Sequence, residues 1–178
     1  LVGLRDDKLA FVESGCFHAL PPDPYAPESL KGAAVGSVYE FSDGSRAIMK
    51  KLAAHIVRHG GAGAVIDYGY IEPVNVSTLT AWSRSRPVDI LRFPGNVDVT
   101  ADVDFRALGR AAQEEGVSMA DVVEQRKFLE IQGIMQRAKI LRETAPPKIR
   151  RRIENDLRLL LSPKRMGTDW KVLVVRGK

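Results

Sequence analysis

A single cysteine, Cys16, stands in 178 residues, so the chain can form neither an internal disulfide nor a multi-thiolate zinc site, and a reducing compartment is the default expectation. Histidine is almost as scarce. Only His18, His55 and His59 occur. His55 and His59 have the four-residue spacing of one helix face, but the sequence supplies no third ligand, so they read as surface residues near a helix end and no metal is expected. No apolar run approaches the ~20 residues that a membrane-spanning helix needs. A glycine-rich turn between strand and helix is missing too. Gly60-Gly61-Ala62-Gly63 has a Gly-x-Gly spacing but precedes an apolar run instead of following one, so it cannot offer a strand-to-helix turn to a nucleotide; it reads as a helix terminator. No residue is therefore a cofactor-binding candidate.

What is present is ordinary globular composition, 44% hydrophobic and 28% charged, in a chain long enough for one sizeable core. Twenty-seven Lys+Arg oppose 22 Asp+Glu for a net charge of +5, which is compatible with an anionic partner. The densest basic run, Lys148, Arg150, Arg151 and Arg152, opens a predicted helix, where the macrodipole disfavours cations unless they are solvated or face an anion. Two readings stand: a solvated face, or a contact with RNA or protein.

Periodicity and punctuation organise the rest. Leu4 to Val12 reads as the second arm of a hairpin whose partner precedes the chain. Pro21, Pro22, Pro24 and Pro27 make residues 17–31 a surface loop. A short strand is expected over Val35 to Phe41, then a helix from about Gly44 to Arg58, capped by Ser42 and Asp43 and burying Ile48, Leu52 and Ile56. Ala62 to Asp67 follows as a buried parallel strand. Helix, glycine stop, strand and polar exit make an αβ unit of a doubly wound sheet. Thr78 to Trp82 is a minor strand. A helix over Asp104 to Glu115 carries the inner stripe Phe105, Leu108 and Ala111-Ala112, with Thr100 or Asp102 as its cap, and Val117 to Val123 is a strand. Lys127 to Arg142 is helical, with Phe128, Leu129 and Ile134 as core. Pro146-Pro147 ends it and starts another helix with the stripe Ile149, Ile153, Leu157 and Leu160-Leu161. Trp170 to Val175 is a closing strand.

Two clusters carry chemistry. Asp67 and Tyr68 lie at the carboxyl end of the predicted parallel strand, the edge on which open α/β sheets place ligands. Asp67 could accept hydrogen bonds from a guanidinium on which Tyr68 stacks; alternatively, Asp67 caps a turn and Tyr68 covers the sheet edge. Asp98, Thr100, Asp102 and Asp104 crowd one loop. Acids at a helix start explain some of them, while a concentration of carboxylates also suits a cationic substrate such as arginine, whose fork of donors needs paired acceptors.

Val65-Ile66-Asp67-Tyr68-Gly69-Tyr70, the segment Pro94 to Phe105, Gln125-Arg126-Lys127-Phe128-Leu129 and Ser162-Pro163-Lys164-Arg165-Met166-Gly167 together resemble the MidA-like family of class I S-adenosylmethionine-dependent methyltransferases. The resemblance matches the C-terminal half of that family. It implies an α/β, Rossmann-like methyltransferase fold, here its C-terminal part: a mostly parallel sheet with added C-terminal helices and an antiparallel last strand. Residues 1–178 would be the C-terminal part of one methyltransferase-like domain whose N-terminal half, absent here, binds most of the S-adenosylmethionine. The implied activity is protein-arginine N-methylation in assembly of mitochondrial respiratory complex I, in the matrix. The implied site has Asp67, Tyr68, Asp98 and Asp102 as catalytic residues and Thr100, Asp104 and Gln125 as substrate-binding ones. Arg126 stands where the family pattern has glycine, and Gln132 where an apolar residue is usual. Both departures imply a pocket of changed shape, and with the basic run they motivate the alternative of a non-catalytic, methyltransferase-like assembly factor or scaffold, in a complex that could be ribosomal, with a protein or RNA partner.

Overall fold

Alternation of apolar residues, capping residues and glycine stops sets the elements. The structure, a computed structural model, describes residues 2–12, 23–34 and 36–177. Cys16, His18 and the first half of the proline-rich stretch lie outside the described residues. In chain order the strands and helices are β1 (Val2–Arg5), β2 (Lys8–Phe11), α1 (Asp43–His59), β3 (Ala62–Tyr70), β4 (Thr80–Ser83), β5 (Arg86–Val88), β6 (Asp98–Thr100) and β7 (Val103–Asp104). Then follow α2 (Phe105–Glu114), β8 (Ser118–Met119), β9 (Val123–Glu124), α3 (Gln125–Ile131), α4 (Ile134–Thr144), α5 (Pro147–Leu161), α6 (Met166–Asp169) and β10 (Trp170–Arg176). They fall into two compact units, Leu1–Glu40 with Asn75–Asp102, and Phe41–Val74 with Val103–Lys178.

The first unit is built from tight hairpins. β1 pairs antiparallel with β2 through a turn in which Asp6 and Asp7 both have positive φ, 50° and 57°, the two-residue geometry that matches strand twist and that aspartate tolerates. This corrects the expectation of an absent hairpin partner: Leu4 belongs to the first arm, and both arms are in the chain. Arg84 and Ser85 repeat the geometry, with φ of 48° and 61°, between β4 and β5. β4 is the centre of a three-stranded antiparallel sheet, with β5 on one side and β6 on the other. Gly36 to Phe41 is not a strand; Val38 makes one backbone bond to Asn75, and a lone bond does not form a ladder.

In the second unit α1 begins where expected: Ser42 Oγ accepts from the Ser45 amide, and Gly60 ends the helix with φ 77°. Its buried face is rotated from the predicted one. Met49, Ala53 and Ile56 are buried with Arg46, whereas Ile48 is 70% exposed. Arg46 is buried as a whole, its guanidinium 5.7 Å from the Phe41 ring centroid and 3.4 Å from Asp43, so a long cationic side chain shares the buried face of α1.

β3 and β10 form a seven-pair antiparallel ladder, Trp170↔Tyr68 to Arg176↔Ala62. The one parallel pairing among the described residues joins the end of β3 to β7, Gly69↔Val103 and Tyr70↔Asp104. On one sheet face α1 and α2 enclose the core of Met49, Ala53, Ile56, Phe105, Leu108, Ala112, Val117, Leu173 and Val175, with Val65 and Val103 against it. The predicted inner stripe of α2 is borne out. The expected strand over Val117 to Val123 reduces to β8 and β9, both on β10. The expected long helix is two, because Gly133 adopts φ +81° between α3 and α4, a left-handed step at which helical hydrogen bonding stops. Phe128, Leu129 and Ile134 are only half-buried, as are Ile153, Leu157, Leu160 and Leu161, while Ile149 is exposed. Ala138 is the buried residue of α4.

Candidate functional site

The end of β3 is where backbone approaches most closely. A Cβ at Gly69 would lie 2.2 Å from the Val103 carbonyl oxygen, so glycine there is a condition for β7 to pair at all. The next pair, Tyr70↔Asp104, places the cap of α2 beside the last residue of β3. Asp104 Oδ1 accepts from the Ala107 amide at 2.8 Å and Oδ2 faces Arg106 at 3.3 Å. The cap is therefore Asp104 itself, not Thr100 or Asp102, and its carboxylate is engaged in holding α2.

Asp67 and Tyr68 are neighbours within β3, not residues beyond its end. Side chains alternate along a strand, and the β10 register shows which way each points. Tyr68 stands opposite Trp170 and packs on it edge to face, centroids 5.8 Å apart. Asp67 stands opposite Lys171, on the face of Val65 and the α1–α2 core, and its Oδ1 accepts from the Tyr68 amide at 2.8 Å. One guanidinium cannot lie on the Tyr68 ring and against the Asp67 carboxylate of the same strand. That correction follows from the two-residue period of β structure.

Gln125, expected to bind substrate, is 5% exposed. Its Nε2 donates to the carbonyls of Leu160 at 3.1 Å and Met166 at 3.3 Å, so it ties the start of α3 to the end of α5 and to α6. The two departures from the family pattern are superficial here: Arg126 forms an exposed 2.9 Å ion pair with Glu130 one turn on, and Gln132 is the exposed cap of α3.

The other acids belong to the first unit. Asp98 and Thr100 are alternate residues of β6, opposite Trp82 and Thr80. The Thr80 and Thr100 hydroxyls are 2.9 Å apart, while Asp98 and Asp102 are exposed. Sequence reasoning missed Glu40 and Thr78. Glu40 accepts from the Ser77 hydroxyl at 2.8 Å, from the Thr78 and Leu79 amides, and from the Thr78 hydroxyl. Thr78 Oγ1 in turn accepts from the Asp102 amide at 2.9 Å, which extends the β4–β6 pairing past Thr80↔Thr100. Burial pushes the Glu40 carboxyl up, but the hydrogen bonds it accepts outweigh this and hold it below the usual carboxylate range. Nothing in the local sequence marks the pairing, since Glu40 and Thr78 are 38 residues apart.

His55 and His59 stack with centroids 4.5 Å apart, and no group of three potential ligands forms a metal site among the described residues. Strand-to-helix turns that could receive a cofactor are acidic instead of glycine-rich. β7 enters α2 through Asp104, whose carboxylate occupies the helix N-terminus, and β9 enters α3 through Glu124. Neither turn has the glycines that let backbone approach a nucleotide closely, so the described residues do not by themselves fit S-adenosylmethionine.

Residues 1–123 match a protein family described as "Putative S-adenosyl-L-methionine-dependent methyltransferase". The chain belongs to this family. It is 33% identical over 162 residues to the mitochondrial protein arginine methyltransferase NDUFAF7 of Rattus norvegicus, covering 90% of this chain and 35% of that protein. It is 35% identical over 121 residues to the Homo sapiens protein of that name, 67% of this chain and 27% of the other. A Burkholderia thailandensis protein solved with bound S-adenosyl-homocysteine superposes with a TM-score of 0.77 at 26% identity, over 98% of this chain and 46% of its own. The α/β, Rossmann-like methyltransferase fold with an antiparallel last strand is thus the fold of this family member. The chain spans about a third of the length of the curated relatives it matches.

Proposed function

We propose that the chain is the substrate-side, C-terminal part of an S-adenosylmethionine-dependent protein-arginine N-methyltransferase, with the cofactor held mainly by polypeptide outside these 178 residues. The site of action is the mitochondrial matrix, and the substrate is a protein of respiratory complex I or its assembly machinery. The observation that carries the reading is the 33% identity to the rat mitochondrial protein arginine methyltransferase across 90% of the chain.

S-adenosylmethionine, when bound, supplies an electrophilic methyl group. The residues of this chain would orient the acceptor. Asp98 and Asp102, on an exposed acidic segment, suit the fork of guanidinium donors, and Thr100 lies between them in sequence. Carboxylates around a guanidinium fix its geometry and offset the positive charge that methyl transfer leaves on nitrogen, so the contribution is positioning and electrostatics. Asp104 and Gln125, in the second unit, hold the starts of α2 and α3.

Incubating the full-length protein with S-adenosylmethionine and mitochondrial protein, and reading methylated arginine by mass spectrometry, tests this. Asp98→Ala and Asp102→Ala should each lower methylation at least ~10-fold, as loss of a charged acceptor does, with unchanged melting. Loss of activity only in proportion to unfolded protein would overturn the assignment. The rival scaffold reading draws on the exposed start of α5. Yet Arg150 there donates to the Ala145 carbonyl at 2.8 Å and Arg152 faces Asp156 at 3.8 Å, arrangements that a solvated helix face also makes.

A further inference from the structure

One strand cannot set an aromatic ring and the adjacent carboxylate on the same side, as Asp67 and Tyr68 show, but two paired strands can. Residues directly opposite in an antiparallel ladder share a face, with Cβ atoms about 4.5–5.5 Å apart. In the three-stranded sheet of the first unit, β4 lies between β5 and β6, and the register sets Trp82 opposite both Pro87 and Asp98. Pro87, Trp82 and Asp98 therefore form one row across a single sheet face. The next row on that face is Thr80 and Thr100, with hydroxyls 2.9 Å apart. Between the two rows Ala81, only 2% exposed, points to the opposite side.

The row is open to solvent: Trp82 is 42% exposed, and Pro87 and Asp98 are exposed. The chain has two tryptophans, and their surroundings differ. Trp170 packs edge to face on Tyr68, whereas Trp82 has no ring or cation stacked on it, and Asp98 no ion pair, among the described residues. The one cation in the three strands, Arg86, stands opposite Ser83, so its side chain belongs to the other sheet face. Indole attracts a cation across its face more strongly than the other aromatic rings, and a carboxylate accepts from the edge of a guanidinium. Ring and carboxylate side by side thus complement a planar cation.

We propose that Trp82 and Asp98 together hold the guanidinium of the acceptor arginine, the indole stacking on its plane and the carboxylate accepting from its edge. The inference rests on the arginine-methyltransferase reading above and adds Trp82 to the residues that touch substrate. Asp98 alone leaves a guanidinium free to swivel about the bonds it donates. Stacking on Trp82 fixes the plane, the bond to Asp98 fixes the rotation within that plane, and the remaining nitrogens then point in a defined direction. Arginine suits this row better than lysine, whose ammonium is a compact, strongly hydrated point charge with no plane to stack. A phosphate or carboxylate is repelled by Asp98.

Fluorine NMR of the full-length protein labelled with fluorotryptophan, together with calorimetric titration, tests this. The probe is an acetylated and amidated Gly-Arg-Gly tripeptide, and the control its citrulline counterpart, which keeps the shape without the charge. The Trp82 resonance, assigned by its loss in Trp82→Phe, should shift saturably with the arginine peptide, and the citrulline peptide should bind at least ~10-fold more weakly. Trp82→Leu and Asp98→Asn should each weaken arginine-peptide binding at least ~3-fold, and Trp82→Phe, which keeps an aromatic face, should lose less than Trp82→Leu. A Trp82 resonance unmoved by either peptide, or equal affinity for the two, would overturn the proposal. So would equal losses in Trp82→Leu and Trp82→Phe that track a lower melting temperature, which would mark the ring as packing only. Methyl transfer to mitochondrial protein separates the two readings. Guanidinium binding at Trp82 without methylation supports the site and removes the enzymatic reading, while methylation unchanged in Trp82→Leu retains the enzyme and overturns the site.

Discussion

Asp104, Gln125 and Glu40 each hold backbone through side-chain polar atoms, and each loses a different quantity when changed. Asp104→Ala removes the hydrogen bond from the Ala107 amide and should cost about 1 kcal/mol, seen as a lower urea midpoint, with Asp104→Ser recovering most of it. Gln125→Leu leaves the Leu160 and Met166 carbonyls without their donor, and should cost about 1–3 kcal/mol if they stay buried. Glu40 makes stability depend on pH. Its folded carboxyl titrates below the unfolded value, so its contribution is complete above the unfolded value and is lost as pH falls through the folded one. Chemical denaturation of wild type and Glu40→Gln across the acid range should show the wild-type advantage shrinking toward low pH. A constant difference would mean that the hydrogen bonds matter and the charge does not.

Among the elements, the β3–β7 crossing is the least tolerant. Gly69→Ala puts a methyl group 2.2 Å from the Val103 carbonyl oxygen, and backbone on both sides must move; loss of several degrees of melting temperature is expected, together with faster exchange at Tyr70 and Asp104. Had β7 been loosely held, that substitution would be silent. Elements were readable in the sequence where stripe and stop agreed, as in α2, whose Phe105-Leu108-Ala111-Ala112 stripe and Gly116 are contiguous. They were misread where one residue outweighed a periodic pattern. Gly133 divides the helix that the spacing of Phe128, Ile131, Ile134 and Leu141 had predicted to be continuous, and α1 buries Arg46 and Met49 where Ile48 was expected.

For the whole molecule the prediction concerns what this chain does not do alone. Residues 1–178 should show no S-adenosylmethionine binding by calorimetric titration, because the turns from β7 into α2 and from β9 into α3 are not glycine-rich; micromolar binding would show that these turns suffice. The basic start of α5 supplies a second comparison. If it contacts RNA, replacing Arg151 and Arg152 should weaken binding regardless of sequence and reduce the salt slope by about one to two units. Unchanged affinity and unchanged assembly would leave it a solvated face.

Contiguous residues sufficed to determine family, α/β class, the limits of α1 and α2 and the closing strand, because stripes, stops and motifs act over a few positions along the chain. Contacts between distant segments could not be read that way. The Glu40–Thr78–Asp102 chain joins residues up to 62 positions apart, and Gln125 meets carbonyls 35 and 41 residues on. The opposed directions of Asp67 and Tyr68 required the β10 register. Strand partners and helix rotation follow from which buried surfaces exclude water together, and that is a property of the packed chain.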